Sequence, residues 1–385
     1  MVILLTGLLA GVLDARGQAT SGGLPLFVVG PPNKDTGYGF RGLMEHPEGW
    51  QSTRAVTTVI LCAGATYAKY TDDELRKWFA QLRAWNITLE LEVGAVKPWG
   101  KTGDETFKKQ KASWDRIQGL GGKIASLAMD EPLSCGRREI KKPDDYAATE
   151  TARFIGLVQH NYPDFKIIEI EPYPSIPLAD HEKWIRLLQQ KLREQNLKPL
   201  AAYRLDVDWL NFTARHVGSW DEVKRIEEDC HTVGYPFSLI YWASGYGSLA
   251  KKHLADDSTW YNGVMKQAAD YAATGAKPDQ YVIESWVGAP AAIVPETGEN
   301  TFSHSTLDLY NKYVKGSAAT ATVAQNIDWQ RKAIEMFPEL AVKDSPLNKL
   351  FISEYSQLKT AEPGFFANPQ WPVDLAKQCD ATLHK

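Results

Sequence analysis

Carboxylates recur in this 385-residue chain as short clusters, each closing an apolar run. They read Met129-Asp130-Glu131-Pro132, Glu169-Ile170-Glu171-Pro172, Asp206-Val207-Asp208-Trp209 and Glu284-Ser285-Trp286, with Glu90 and Glu92 two residues apart in Thr88–Val93. Two carboxyl groups on one cleft can divide acid and base work. One, kept protonated by burial or by a neighbouring negative charge, donates to a departing oxygen, while the other, ionised, attacks or activates water. Cleavage of a glycosidic bond needs such a pair. Glu131, Glu171, Asp208 and Glu284, at or just past the ends of their runs, are the candidate catalytic carboxyls. Acids in these positions also serve as helix caps and loop anchors, a reading that accounts for roughly one or two of the four.

Aromatic residues follow the same runs: Trp99, Tyr173, Trp209, Trp242 and Trp286 lie at or after their ends. The chain carries 13 Trp and 16 Tyr, a heavier load than a core requires. Large flat side chains with a polar edge suit ligands that have one apolar face, as sugar rings do. Any one of them is more often core than platform. Asp130, Asp206, Glu92 and Glu296 complete the candidate substrate-binding set, and His304, eight residues after Glu296, is placed to reach the same cleft. His181, His216 and His231 fall in helical or connecting segments and read as surface residues.

The elements that must position these groups are strands. Eight apolar runs of strand length recur, each followed by a helical pattern: 26–30, 56–63, 88–93, 123–129, 166–170, 200–207, 237–242 and 280–285. This alternation predicts βα units on a parallel sheet, and eight of them close into a (β/α)₈ barrel. In such a barrel the strand C-termini converge on one cleft. The helices carry start signals, Thr71 with Glu74 and Ser219 with Glu222, each the spacing of a capping box. Leu75, Trp78, Phe79, Leu82 and Trp85 then share one helical face, as do Trp184, Leu187, Leu188 and Leu192. Period-two alternation puts Glu169 with Glu171, and Arg204 with Asp206 and Asp208, opposite Ile168, Ile170, Leu205 and Val207. With the apolar set against the helices, the acidic set is expected to project into the barrel. Glu90, Glu169 and Arg204 are expected to form a buried charge cluster low in it.

Composition narrows the partners. With 43 basic and 47 acidic residues and no basic stretch, the electrostatic footprint of a nucleic-acid binder is missing. Residues 1–19 read as a secretory signal with an apolar run Val2–Leu13, too short to span a membrane. Export to the periplasm or medium is the expectation, with no membrane association after cleavage. Residues 20–314 form the expected catalytic barrel. Residues 315–385 form a C-terminal extension packed on it, with one helix near 327–337 and an irregular tail. Cys62, Cys135, Cys230 and Cys379 show no Cys-x-x-Cys spacing, and no Gly-rich motif follows the first run. The reading therefore assigns no cofactor and no metal, a carbohydrate substrate and a monomer.

The Asp130-Glu131-Pro132 turn resembles the Asn-Glu-Pro of the large clan of retaining (β/α)₈ glycoside hydrolases, which implies that Glu131 is the acid/base. The clan's nucleophile, a Glu ending strand 7, has no counterpart in Leu239-Ile240-Tyr241-Trp242-Ala243-Ser244. More broadly, Asp130-Glu131-Pro132-Leu133, Glu171-Pro172, Asp206-Val207-Asp208-Trp209, Ser285-Trp286 and Pro295-Glu296-Thr297 resemble a group of exported bacterial barrel proteins described only as hydrolase-like. That resemblance implies the fold and no particular reaction. With strand 7 lacking an acid, the partner of Glu131 is sought on the neighbouring strands, in Asp208 or Glu171.

Two alternatives stay open. Three acidic strand ends can ligate a divalent cation through oxygen, as in a metal-dependent barrel enzyme, although no strand-end Lys or His base accompanies them. A barrel that binds polysaccharide without cleaving it would use the same tryptophans and need no acid pair.

Overall fold

A computed structural model describes residues 24–32, 38–315, 329, 332–342, 345–362, 365–366 and 370–384. The expected secretory signal at 1–19 lies outside the described residues. The eight apolar runs are eight parallel strands: β1 (Phe27–Gly30), β2 (Val59–Ala63), β3 (Thr88–Val93), β4 (Ile124–Asp130), β5 (Lys166–Tyr173), β6 (Ala202–Val207), β7 (Phe237–Tyr241) and β8 (Gln280–Glu284). They pair in sequence order, and β8 closes on β1 through Phe27–Tyr281 to Gly30–Glu284. The (β/α)₈ barrel is thus complete.

Between the strands run α1 (Tyr38–Glu45), α2 (Gln51–Val56), α3 (Asp72–Ala84), α4 (Gly103–Gly119), α5 (Pro132–Cys135), α6 (Asp144–Asn161) and α7 (Leu178–Glu194). There follow α8 (Leu210–Ala214), α9 (Trp220–Thr232), α10 (Tyr246–Lys251), α11 (Asp257–Ala273) and α12 (Phe302–Leu309). Among the described residues no helix is long and apolar enough to cross a membrane. Helix α3 starts as its sequence predicts. The Thr71 hydroxyl accepts from the Glu74 amide, and the Glu74 carboxylate accepts from the Thr71 amide at 2.8 Å. Its apolar stripe, Leu75, Trp78, Phe79 and Leu82, is buried against the barrel. Helix α9 keeps only half the device: Ser219 accepts from the Glu222 amide at 3.2 Å, while the Glu222 carboxylate accepts from the Tyr173 hydroxyl instead.

Two separate apolar layers follow from the closure. The large one lies between strands and helices. The small one fills the barrel and consists of Val28, Val59, Leu61, Ala128, Ile168, Ile170, Ala202, Ile240 and Val282. Below the acidic mouth the barrel floor is polar: Arg204 donates to Glu90 at 2.7 Å, to Gln280 at 2.7 Å and to Ser238 at 3.0 Å, and Ser126 donates to Glu90 at 2.7 Å.

This arrangement corrects the expectation for β5. Ile168 and Ile170 are in the inner layer, so Glu169 and Glu171 face the helices. A barrel strand is apolar on both faces, so apolar character does not mark the outer one. The buried cluster therefore contains Glu90 and Arg204 without Glu169, whose Oε1 accepts from Trp184 Nε1 at 2.7 Å in the helical layer. In the C-terminal extension residues 332–336 are helical, within the helix expected near 327–337, and it is the tail expected to be irregular that differs. It holds α13 (Pro346–Ala361) and α14 (Trp371–Leu383), with a core of its own around Leu347, Trp371, Leu375 and Cys379. All four cysteines are buried and none is in a disulfide.

Candidate functional site

The strand C-termini bring Glu92, Asp130, Asp206 and Glu284 to one mouth, because each continues the inward parity of its strand: Glu90 on β3, Ser126 and Ala128 on β4, Arg204 on β6 and Val282 on β8. Gly30 makes room for Glu284. A Cβ at that position would lie 2.8 Å from Glu284 Cγ. Glu131 follows β4 in a left-handed conformation, φ 48° and ψ 53°, a region that L-residues enter only when the surrounding structure holds them there. Its Oε2 accepts from Ser134 Oγ at 2.9 Å and from Arg138 at 3.3 Å.

Burial and mutual repulsion raise the proton affinity of Glu92, Glu131, Asp206 and Glu284. Burial first, then Asp130 and Glu131, push Glu92 up to about 7 against the opposing pull of Lys97 and Arg204. Asp206 is held well above the ordinary carboxylate range by burial and by Glu131, Asp130, Asp208 and Glu92. Glu284 is likewise held well above it by burial, Glu92, Asp206 and Glu90, with Arg204 opposing. Glu131 is raised by burial and Asp130. Asp206 Oδ1 is buried with no hydrogen-bond partner.

One functional candidate escaped the sequence reading. Lys97, in the loop after β3, forms an ion pair with Asp130 and lies 3.4 Å from Cys135 Sγ. Burial works to lower its proton affinity, but Asp130 and Cys135 outweigh it and the ammonium is held above its usual range. Its sequence signal was its place two residues before Trp99, just past a strand bearing two inward acids.

The remaining predicted residues divide. Trp242 and Trp286 meet at the mouth with ring centroids 4.5 Å apart; Trp286 is 41% exposed. Trp99 is exposed and folds back over Gly94. Trp209 is buried, its indole donating to the Trp242 carbonyl at 3.3 Å. Asp208 is exposed after β6, with both carboxylate oxygens engaged by Ser244 and by Asn211 at 2.6 Å.

Four assignments are corrected. Glu171, expected in the catalytic ring, points outward and accepts from the amides of Leu133 at 2.5 Å and Ser134 at 3.1 Å. Tyr173, expected to hold substrate, shares that outward parity and is buried among His181 and Phe212, its hydroxyl between Glu222 and the Ser219 amide. Glu296, also expected to hold substrate, caps α2 by accepting from the amides of Ser52 at 2.9 Å and Thr53 at 2.8 Å. Burial would raise Glu296, but these bonds outweigh it and hold the carboxyl below its ordinary range. His304 packs beside it, 3.2 Å from the Glu296 carbonyl. His181 is no surface residue: it is buried, 2.7 Å from the Tyr203 hydroxyl, and burial lowers it to about 3.

Among the described residues, no three or more His, Cys, Asp or Glu side chains are arranged to hold a metal ion.

No protein-family model and no curated protein matches the sequence. Among solved structures the chain is similar to xylanase 10B from Thermotoga maritima, at 11% identity and TM-score 0.44, over 75% of this chain and 96% of that one. It is similar to xylanase 10C from Cellvibrio japonicus at 10% identity and TM-score 0.43, over 68% of this chain and 58% of that one. It is also similar to a D-psicose 3-epimerase at 12% identity and TM-score 0.36, over 63% of this chain and 79% of that one. Likeness at this level does not choose between hydrolase and epimerase chemistry. The chain's own side chains must do so.

Proposed function

We propose that this barrel hydrolyses glycosidic bonds, with Glu131 as proton donor. The observation that carries the reading is the shared mouth. Glu92, Glu131, Asp206 and Glu284 converge there, each raised by burial and by its acidic neighbours, beside the Trp242–Trp286 pair. A carboxyl held protonated near neutral pH is what a departing glycosidic oxygen requires. The ionised partner is Glu92, raised only to about 7 and favoured in its charged form by Lys97 and Arg204; Asp206, with no donor to Oδ1, is held in its neutral form, and both oxygens of Asp208 anchor the loop after β6. Trp286 and Trp242 would stack on a sugar ring and set its height above the acids.

The test is a leaving-group comparison on Glu131→Gln. Turnover of a phenyl glycoside, whose phenolate leaves only with a proton, is expected to fall roughly 10²–10⁴-fold. Turnover of the matching 2,4-dinitrophenyl glycoside should fall far less. Equal turnover of the phenyl substrate by E131Q and wild type removes Glu131 from the mechanism. A chelator should leave wild-type turnover unchanged; loss of activity would favour the metal-dependent alternative.

A second reading, binding of polysaccharide without cleavage, draws on the engagement of Asp208, Glu171 and Glu296 in anchoring bonds. It predicts oligosaccharide binding by wild type and E131Q alike, with no turnover by either.

A further inference from the structure

The Asp130-Glu131-Pro132 turn opens α5, and Glu131 occupies the residue just before the helix, where a side chain normally caps the free amides of the first turn. Glu131 makes no such cap. The two amides that would receive it, those of Leu133 and Ser134, are taken by the carboxylate of Glu171 from the neighbouring strand, at 2.5 and 3.1 Å. The Glu131 backbone is pinned on both sides of its left-handed turn: its amide donates to the Ile170 carbonyl at 3.0 Å and its carbonyl accepts from the Cys135 amide at 2.9 Å. Ser134, whose amide Glu171 holds, turns its hydroxyl to Glu131 Oε2 at 2.9 Å.

Glu171 is fully buried on the outer face of β5, with Glu169 two residues before it on the same face. Trp184 holds one oxygen of Glu169 at 2.7 Å, and the Glu169 carboxyl is hydrogen-bonded to that of Glu171. Burial and the neighbouring carboxyl raise Glu171, and burial raises Glu169 to about 8, so the two do not both carry charge at neutral pH. The pair is closed off from the mouth by Ile168 and Ile170, which fill the barrel side of the strand.

We propose that Glu171 is a positioning residue that caps α5 in place of Glu131 and so frees the Glu131 carboxyl to face the mouth. The inference rests on the reading of Glu131 as the proton donor. Without the clamp, Glu131 is the nearest acceptor for its own helix's amides, and its carboxyl turns back onto the Leu133 and Ser134 amides, away from substrate.

The experiment compares E171Q and E131Q. In E171Q the side-chain amide places an N–H against the Ser134 N–H, breaking one arm of the clamp with little change of volume. Its turnover of a phenyl glycoside is expected to fall on the order of 10²-fold, the effect of a misplacement of about 1 Å. KM should stay within about twofold, and turnover of the 2,4-dinitrophenyl glycoside should be reduced far less than that of the phenyl substrate. Equal losses on both substrates would mark a structural role alone and overturn the proposal. If E131Q itself shows no dependence on the leaving group, the hydrolase reading fails, and amide hydrogen exchange then judges the clamp. Protection of the Leu133 and Ser134 amides in wild type, lost in E171Q, supports it; unchanged protection in E171Q overturns it.

Discussion

Arg204→Met tests the floor on which the acidic mouth stands. Arg204 and Glu90 are wholly buried with a 2.7 Å ion pair, and the same guanidinium also donates to Gln280 and Ser238. A buried pair adds little net stability, because desolvation of both ions offsets their attraction. Removing one partner is different: an uncompensated buried charge costs about 3–5 kcal/mol. Met matches the length of the arginine stem, so the loss is electrostatic rather than a cavity. Glu90 keeps its bond from Ser126, which argues for the middle of that range, about 4 kcal/mol. At about 2 °C per kcal/mol for a domain of this size, Tm should fall by about 8 °C. The assay is urea unfolding followed by tryptophan fluorescence, with R204M/E90Q as the companion. The double variant removes both charges and should recover at least half of the loss. A deficit for R204M below about 1 kcal/mol, or a double variant no more stable than R204M, would refute the argument.

Three further outcomes follow from the geometry. Glu92 is raised to about 7 in the folded protein, so the folded state favours its neutral form. The stability this gives is whole below the unfolded value near 4.5 and is lost as pH rises toward 7; E92Q should match wild type near pH 4 and exceed it by up to about 3 kcal/mol at pH 8, read by urea unfolding at the two pH values. Gly30→Ala would set a methyl 2.8 Å from Glu284 Cγ and should cost about 1–3 kcal/mol of stability by thermal unfolding, with displacement of Glu284 visible in a crystal structure. Trp286→Ala removes one half of the tryptophan pair and should raise KM for an oligosaccharide about tenfold while kcat changes little, the pattern of lost ground-state binding.

The barrel was legible because its cause is local. Each strand is a short apolar run, and long helices such as α3 and α9 carry an apolar stripe behind an acceptor, Thr71 or Ser219, patterns that neighbouring residues impose without knowledge of the rest of the chain. The convergence of Glu92, Asp130, Asp206 and Glu284 was legible for the same reason, since strand ends in a parallel barrel share one face. The orientation of β5 was not. Ile168 and Ile170 on one face and Glu169 and Glu171 on the other are compatible with either assignment, because barrel interior and helical layer both accept isoleucine. Trp184 and the α5 amides, which draw the glutamates outward, meet β5 only after closure.

Alternation along each strand thus determined from sequence which residues travel together, and the clustering of acids at run ends picked out the cleft proposed as the site. Tertiary structure decided which carboxyls are free. Glu171, Asp208 and Glu296 look alike in sequence to Asp206 and Glu284, yet the first three are spent on hydrogen bonds to groups brought near by folding, such as the Ser52 and Thr53 amides for Glu296. A carboxylate's role depends on the donors within about 3 Å of it, and most of those donors come from parts of the chain whose distance in sequence carries no trace of the contact.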